Sequence, residues 1–149
     1  MIVYRITTPK YAQLTASGRS ARWNRNGQFV IYFAGNISLA CLENVVHRDS
    51  EGLIGNFSLM SVEIPKKVSI KIIQIDDLPE NWSDKFNFEI CQEISTKWLN
   101  NLESCVLCVP SVIVPLESNY LINPQHPDFR FIKLLSVEKF NFDNRIKST

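Results

Sequence analysis

The sequence predicts an α+β fold built on curved, mainly antiparallel sheets with flanking helices. Three observations carry this reading. Strand-like and helix-like runs follow the order β, loop, β, α, β, β, α, β, β, which departs from the strict βαβα alternation of a parallel sheet. The runs 57–64 and 68–75 are joined only by Pro65-Lys66-Lys67, a connection short enough to predict a hairpin. With 5 glycines and no Gly-x-Gly-x-x-Gly or P-loop, the chain lacks the phosphate-cradling loop of Rossmann or Walker sites.

The elements follow in order. Ile2 to Ile6 reads as a first strand. Residues 7–28 carry Thr, Ser, Gly and Arg with little periodicity and predict a loop, with one short helix near Tyr11 to Leu14. Asn26-Gly27 signals a turn, and the β-branched and aromatic run Phe29 to Phe33 predicts a buried strand. Gly35-Asn36 breaks it. Asn36 or Ser38 is placed to cap a helix over Ile37 to His47, with Ile37, Cys41, Leu42 and Val45 on one apolar side. After the expected hairpin, Asp76 to Asp84 reads as a polar loop. Cys91, Ile94 and Trp98, at i, i+3 and i+7, predict a helix over Phe88 to Asn100 docked on the sheet. Cys105 to Val109 reads as a strand ended by Pro110, with Val112 to Val114 another short one. Asn119 to Phe129 holds two prolines and reads as an ordered loop, and Phe131 to Phe140 as a last strand.

At 149 residues and 45% hydrophobic content, the chain predicts one domain over 1–149 with one core. A formal net charge of +1 argues against direct nucleic-acid or membrane binding. No run approaches the roughly 20 apolar residues that span a bilayer, and Met1 to Ile6 is no signal peptide. A cytoplasmic protein is expected. Cys41, Cys91, Cys105 and Cys108 all sit in apolar stretches, as buried free thiols do. Cys105-Val-Leu-Cys108 has redox spacing but lies in a β-like run, and no second Cys or His pair has zinc-ligand spacing, so no metal site is expected.

Several polar residues stand in apolar settings, and each has two readings. Arg5, between Tyr4 and Ile6, is either a solvated edge charge or a planar donor fork for phosphate or ribose oxygens. Arg19, Arg22 and Arg25 surround Trp23 without nearby acids. That is an exposed basic loop or an anion site, with Arg22 preferred because Trp23 fixes its backbone. Tyr32 is a core tyrosine or a ring that packs on a ligand. Glu43 lies between Ala40-Cys41-Leu42 and Val45-Val46, and Glu is rarely buried without a partner. His47 at i+4 would supply one, either structurally or within a site. Ser111, after Val109-Pro110, is a turn hydroxyl or a site hydroxyl. It is no nucleophile elbow, because Gly-x-Ser-x-Gly is missing, and neither His47 nor His126 has the context of a Ser-His-Asp hydrolase.

Taken in order, these words resemble the RES domain, the toxin family of bacterial toxin–antitoxin pairs named for an arginine, a glutamate and a serine. The words are Tyr4-Arg5-Ile6, Arg22-Trp23-Asn24, the strand with Tyr32, Leu42-Glu43 with His47, Val109-Pro110-Ser111, Asn119 to Pro127, and Phe140 to Arg145. The resemblance covers nearly the whole chain. It departs at Ser20-Ala21, where family members often carry glycines.

The resemblance implies a fold similar to the NAD-binding core of mono-ADP-ribosyltransferases. It implies NAD as substrate, with no cofactor, and an Xre-type helix-turn-helix antitoxin that blocks the cleft, with a toxin homodimer in the complex. Arg5 and Arg22 would take the pyrophosphate and ribose side, and Tyr32 the nicotinamide end. Glu43 would stabilise the cation, hold ribose hydroxyls or direct water, and Ser111 would orient a ribose or amide group. Cleaving the nicotinamide–ribose bond passes through an oxocarbenium-like state, so it needs anion binding, an aligned ribose and nearby negative charge. The acceptor would be water, phosphate or, as in an ADP-ribosyltransferase, a protein side chain. A non-catalytic binding module is the alternative from another class.

Overall fold

The structure, a computed structural model, describes residues 1–49 and 51–147. The 1–149 domain reading therefore takes in Ser50, Ser148 and Thr149, which lie outside the described residues. The strands are β1 (Ile2–Thr7), β2 (Ile31–Ala34), β3 (Phe57–Glu63), β4 (Ile70–Ile72), β5 (Val106–Pro110), β6 (Ser118–Ile122) and β7 (Lys133–Phe140); the α-helices are α1 (Ile37–His47) and α2 (Glu89–Asn101). The seven strands form one sheet in the order β4-β5-β6-β2-β1-β3-β7. Every neighbouring pair is antiparallel except β4–β5. The predicted α+β, mainly antiparallel class is therefore what the chain adopts.

The sheet has two faces. Val3, Ile31, Phe33, Met60, Val62, Val106 and Ile122 form one buried cluster, covered by Leu14, Phe129 and Phe131 from loops. Strand alternation sends the intervening side chains to the opposite face, where both helices pack. α1 places Leu39 and Ala40 over Ile6 and Ala34. α2 places Cys91 and Trp98 over Leu107, Val109 and Leu121. Trp98 is fully buried, and its indole N–H donates to Ser104 at 2.9 Å, so burial leaves no polar atom open.

β1 and β2 meet through a single register pair, Tyr4 opposite Ala34, whereas β1 and β3 pair along their whole length. The sheet is thus two well-paired halves joined at one narrow line. Gly18 adopts φ +69°, and the Phe29 ring lies 2.9 Å from where a β-carbon would stand. That contact closes the loop between β1 and β2, and its φ suits glycine.

Four local expectations are corrected. The 57–64 and 68–75 runs make no hairpin: β3 is flanked by β1 and β7, while β4 pairs parallel to β5 at the far edge. Residues 119–122, expected as the start of the loop Asn119 to Phe129, belong to the interior strand β6. Residues 112–114, expected as a strand, form a turn, because Ser111 Oγ takes the N–H groups of Ile113 and Val114. The inward side of α1 is Leu39 and Ala40, while Ile37 and Leu42 are exposed. The predicted cap holds, with the Asn36 side chain accepting from the Leu39 N–H at 2.8 Å. The helix near Tyr11 is a single 3-10 turn, Pro9–Tyr11.

Candidate active site

The inward stripe of α1 explains where Glu43 points. Residues three and four apart share a helix face, so Leu39 and Ala40 are followed on the same side by Glu43 and Asn44. Asn44 donates to the Ile6 carbonyl at 3.1 Å and ties the helix to β1. Glu43 is aimed at the end of β5 and the start of β6. Its Oε1 accepts from Ser111 Oγ at 3.2 Å and from Asn119 Nδ2 at 2.7 Å. Its Oε2 faces His47 Nε2 at 3.5 Å, and the Glu43 side chain is 26% exposed.

Burial of this kind raises a carboxyl pKa. Hydrogen bonds from His47, Asn119 and Ser111, together with the His47 charge, outweigh it and hold Glu43 below the usual carboxylate value. At neutral pH the site therefore presents a fixed negative charge. Ser111 is fully buried, accepts two backbone N–H groups, and has one hydroxyl hydrogen, which goes to Glu43. Its position makes it a support for the carboxylate.

Tyr32 lies on the same face as Asn119. It stands opposite Leu121 in the β2–β6 ladder, and Asn119 is two residues further along that face. Such diagonal neighbours are about 7–8 Å apart. The Tyr32 hydroxyl donates to Asn24 Oδ1 at 2.6 Å, and burial pushes its pKa well above the usual value, so it stays protonated. Asn24 in turn donates to the carbonyls of Arg19, Arg25 and Gln28. The Arg-Trp-Asn word thus shapes the loop beside Tyr32.

Arg22 is not gathered against Glu43. Its guanidinium donates to the carbonyls of Trp82 and Asp84, each at 2.9 Å, and stacks on Phe88 at 4.5 Å. It fastens the loop before α2. Arg5 sits between Tyr4 and Ile6, both on the α1 side, so alternation turns it to the other face with Val3. Its Nη1 is buried without a hydrogen-bond partner among the described residues, and burial lowers its pKa.

The structure thus brings Glu43, Ser111 and His47 together, places Tyr32 nearby, and leaves Arg5 and Arg22 apart. Asn119 was missed in the sequence because it stood in an apparent loop. Its one signal is its place two residues before Leu121, on the alternation of a strand. Two shallow clefts mark the surface, of about 300 Å³ beside Phe57 and Val137 and about 420 Å³ between β4 and β6. Glu43 lines neither. The larger one is bordered by Pro110 and Ser118, the chain neighbours of Ser111 and Asn119. Among the described residues, no group of three or more His, Cys, Asp or Glu is placed to hold a metal ion. No helix among them is long and apolar enough to cross a membrane.

The mainly antiparallel α+β sheet falls in a known class. The family model described as the RES domain matches residues 2–143, and the chain belongs to the RES-domain family of toxins. It is 37% identical to the Toxin Res of Photorhabdus laumondii, over 98% of this chain and 97% of that protein. It is 38% identical to the Toxin Res of Yersinia enterocolitica, over 99% of this chain and 100% of that protein. A protein of Sphingobium named Prs ADP-ribosylating toxin is 39% identical, over 84% of this chain and 79% of its own length. The fold is similar to the crystal structure of the M. tuberculosis MbcT–MbcA toxin–antitoxin complex. There the TM-score is 0.80 at 14% identity, covering 99% of this chain and 89% of that one.

Proposed function

We propose that this RES-domain protein is a toxin that consumes NAD by breaking its nicotinamide–ribose bond. The observation that carries the reading is the Glu43 carboxylate, charged at neutral pH and fixed on one oxygen by Ser111 and Asn119. A pre-oriented negative charge stabilises an oxocarbenium-like state without reorganisation. Nicotinamide leaves as a neutral group, so no strong general acid is needed. Tyr32, held by Asn24, supplies a ring beside the carboxylate for the nicotinamide end. Arg22 would serve the pyrophosphate and ribose side by exchanging a backbone carbonyl for a phosphate oxygen. Arg5, turned to the other face of the sheet from Glu43, is left out of this role.

NAD is the substrate and no further cofactor is required. The acceptor is water or phosphate. Transfer to a protein side chain is the second reading, supported by the Sphingobium relative's name. The proposed partner is an Xre-type helix-turn-helix antitoxin. The similarity to a toxin found in complex with its antitoxin supports a partner of that role. Action on cytoplasmic NAD as a single domain, and as a homodimer within the complex, completes the proposal. Incubating purified, antitoxin-free chain with NAD and identifying products by mass spectrometry tests it. Free ADP-ribose indicates water, a phosphorylated product indicates phosphate, and a mass increment on protein indicates transfer. Intact NAD contradicts the proposal and leaves a binding module.

A further inference from the structure

Asn119 holds the tightest contact made by the Glu43 carboxylate, at 2.7 Å. Its backbone is fixed on both sides, opposite Ala34 in β2 and Val109 in β5. The side-chain amide can face the carboxylate in only one sense. Nitrogen donates to Oε1; the reverse would set oxygen against oxygen. That orientation turns Oδ1 away from Glu43, and this Oδ1 is buried with no hydrogen-bond partner among the described residues. Buried amide oxygens are almost always satisfied, so an open one beside a charged carboxylate calls for a donor from outside.

We propose that Asn119 is a two-handed residue of this site: its amide nitrogen positions Glu43, and its Oδ1 receives an O–H or N–H donor of bound NAD. The second half rests on the NAD reading above. Three groups at the reacting end of NAD carry such a donor, the 2′- and 3′-hydroxyls of the nicotinamide ribose and the nicotinamide carboxamide. All three sit on the two rings that the breaking bond joins. Asn119 thus ties the charge that stabilises the cation to the group whose alignment decides reactivity.

Two measurements on purified, antitoxin-free chain test the two halves separately. The first is a carboxyl-carbon NMR titration of Glu43. The described contacts set one titratable group against it, His47 from its own helix, while Ser111 and Asn119 from the β5–β6 side are neutral. Removing a hydrogen bond to the charged form raises a carboxyl midpoint. Asn119→Ala moves the Glu43 midpoint up, and Asn119→Asp, which faces it with a second carboxylate, moves it further. An unmoved midpoint in both folded variants overturns the positioning half.

The second measurement is steady-state turnover of NAD, its 2′-deoxy and 3′-deoxy analogues at the nicotinamide ribose, and nicotinic acid adenine dinucleotide. Asn119→Ala raises KM for NAD about tenfold, the effect of one lost hydrogen bond in a buried site. The wild type discriminates against whichever analogue lacks the bonded donor, and Asn119→Ala loses that discrimination. Asn119→Asp, which keeps an acceptor oxygen, retains it. Equal discrimination by wild type and Asn119→Ala overturns the ligand half. No turnover of NAD by wild type, with the midpoint moving as stated, overturns the NAD reading while the positioning of Glu43 stands.

Discussion

Glu43 is where sequence, packing and chemistry meet. Its place on the stripe behind Leu39 and Ala40 forces it toward the sheet, and burial is tolerated because three donors meet it. Glu43→Gln keeps the shape and removes the charge. Turnover is expected to fall about 10²–10³-fold, the usual loss for one preorganised electrostatic group, with the circular dichroism spectrum unchanged. The charge also stabilises the fold. Because the folded carboxyl is held below its ordinary value of 4.5, this contribution is present above that value and is lost as pH falls through the lower folded value. The unfolding-midpoint gap between wild type and Glu43→Gln is therefore expected to close on acidification from neutral pH. Ser111→Ala strips an acceptor from Ile113 and Val114 and a donor from Glu43. Denaturant unfolding is expected to show a loss of about 1–3 kcal/mol, with reduced turnover.

Local elements were legible where the pattern was local. β1, α2, β5 and β7 follow from apolar patterning and turn residues, and α1 from its Asn36 cap, its inward side having been misread. The β3–β4 pairing did not, because a partner strand is a property of the whole sheet. Both sides of β3 are taken by β1 and β7, so the short β4 leaves across the sheet to β5. β6 was hidden because Asn119 opens the stretch and Asn123, Pro124 and Pro127 follow Leu121-Ile122. Glu43 and His47 were legible as a local i+4 pair, while Ser111 joined them only through the ordered RES-domain words, since by itself it reads equally as a turn hydroxyl. The setting of Arg22 was not legible, since its partners Trp82 and Asp84 are sixty residues away and are backbone carbonyls. In the structure Arg22 fastens the loop before α2. Arg22→Ala is expected to speed amide hydrogen exchange across residues 82–88 while α2 stays protected. If those amides exchange as in wild type, the fastening is not what orders the loop. Trp98 anchors α2 from a fully buried position, and Trp98→Ala is expected to destabilise the chain by about 3–5 kcal/mol in denaturant unfolding.

The whole molecule places both helices on one face of a sheet whose halves touch along a narrow line at Tyr4 and Ala34. α1 covers Ile6 and Ala34, and α2 covers Leu107, Val109 and Leu121; Tyr32 packs against the α2 cluster, and Asn119 stands opposite Ala34 on the α1 side. This architecture delivers a glutamate from α1, a serine from the end of β5 and an asparagine from β6 to one point. The match to RES-domain relatives runs over nearly the whole chain and is not confined to one short motif. The account stands on that point acting on NAD. The decisive measurement is the NAD content of cells expressing the chain without its antitoxin, wild type beside Glu43→Ala, with folding and abundance of both checked. The account predicts that NAD falls with wild type and holds with Glu43→Ala. NAD that stays level with folded, abundant wild type, or that falls equally with both, would contradict it.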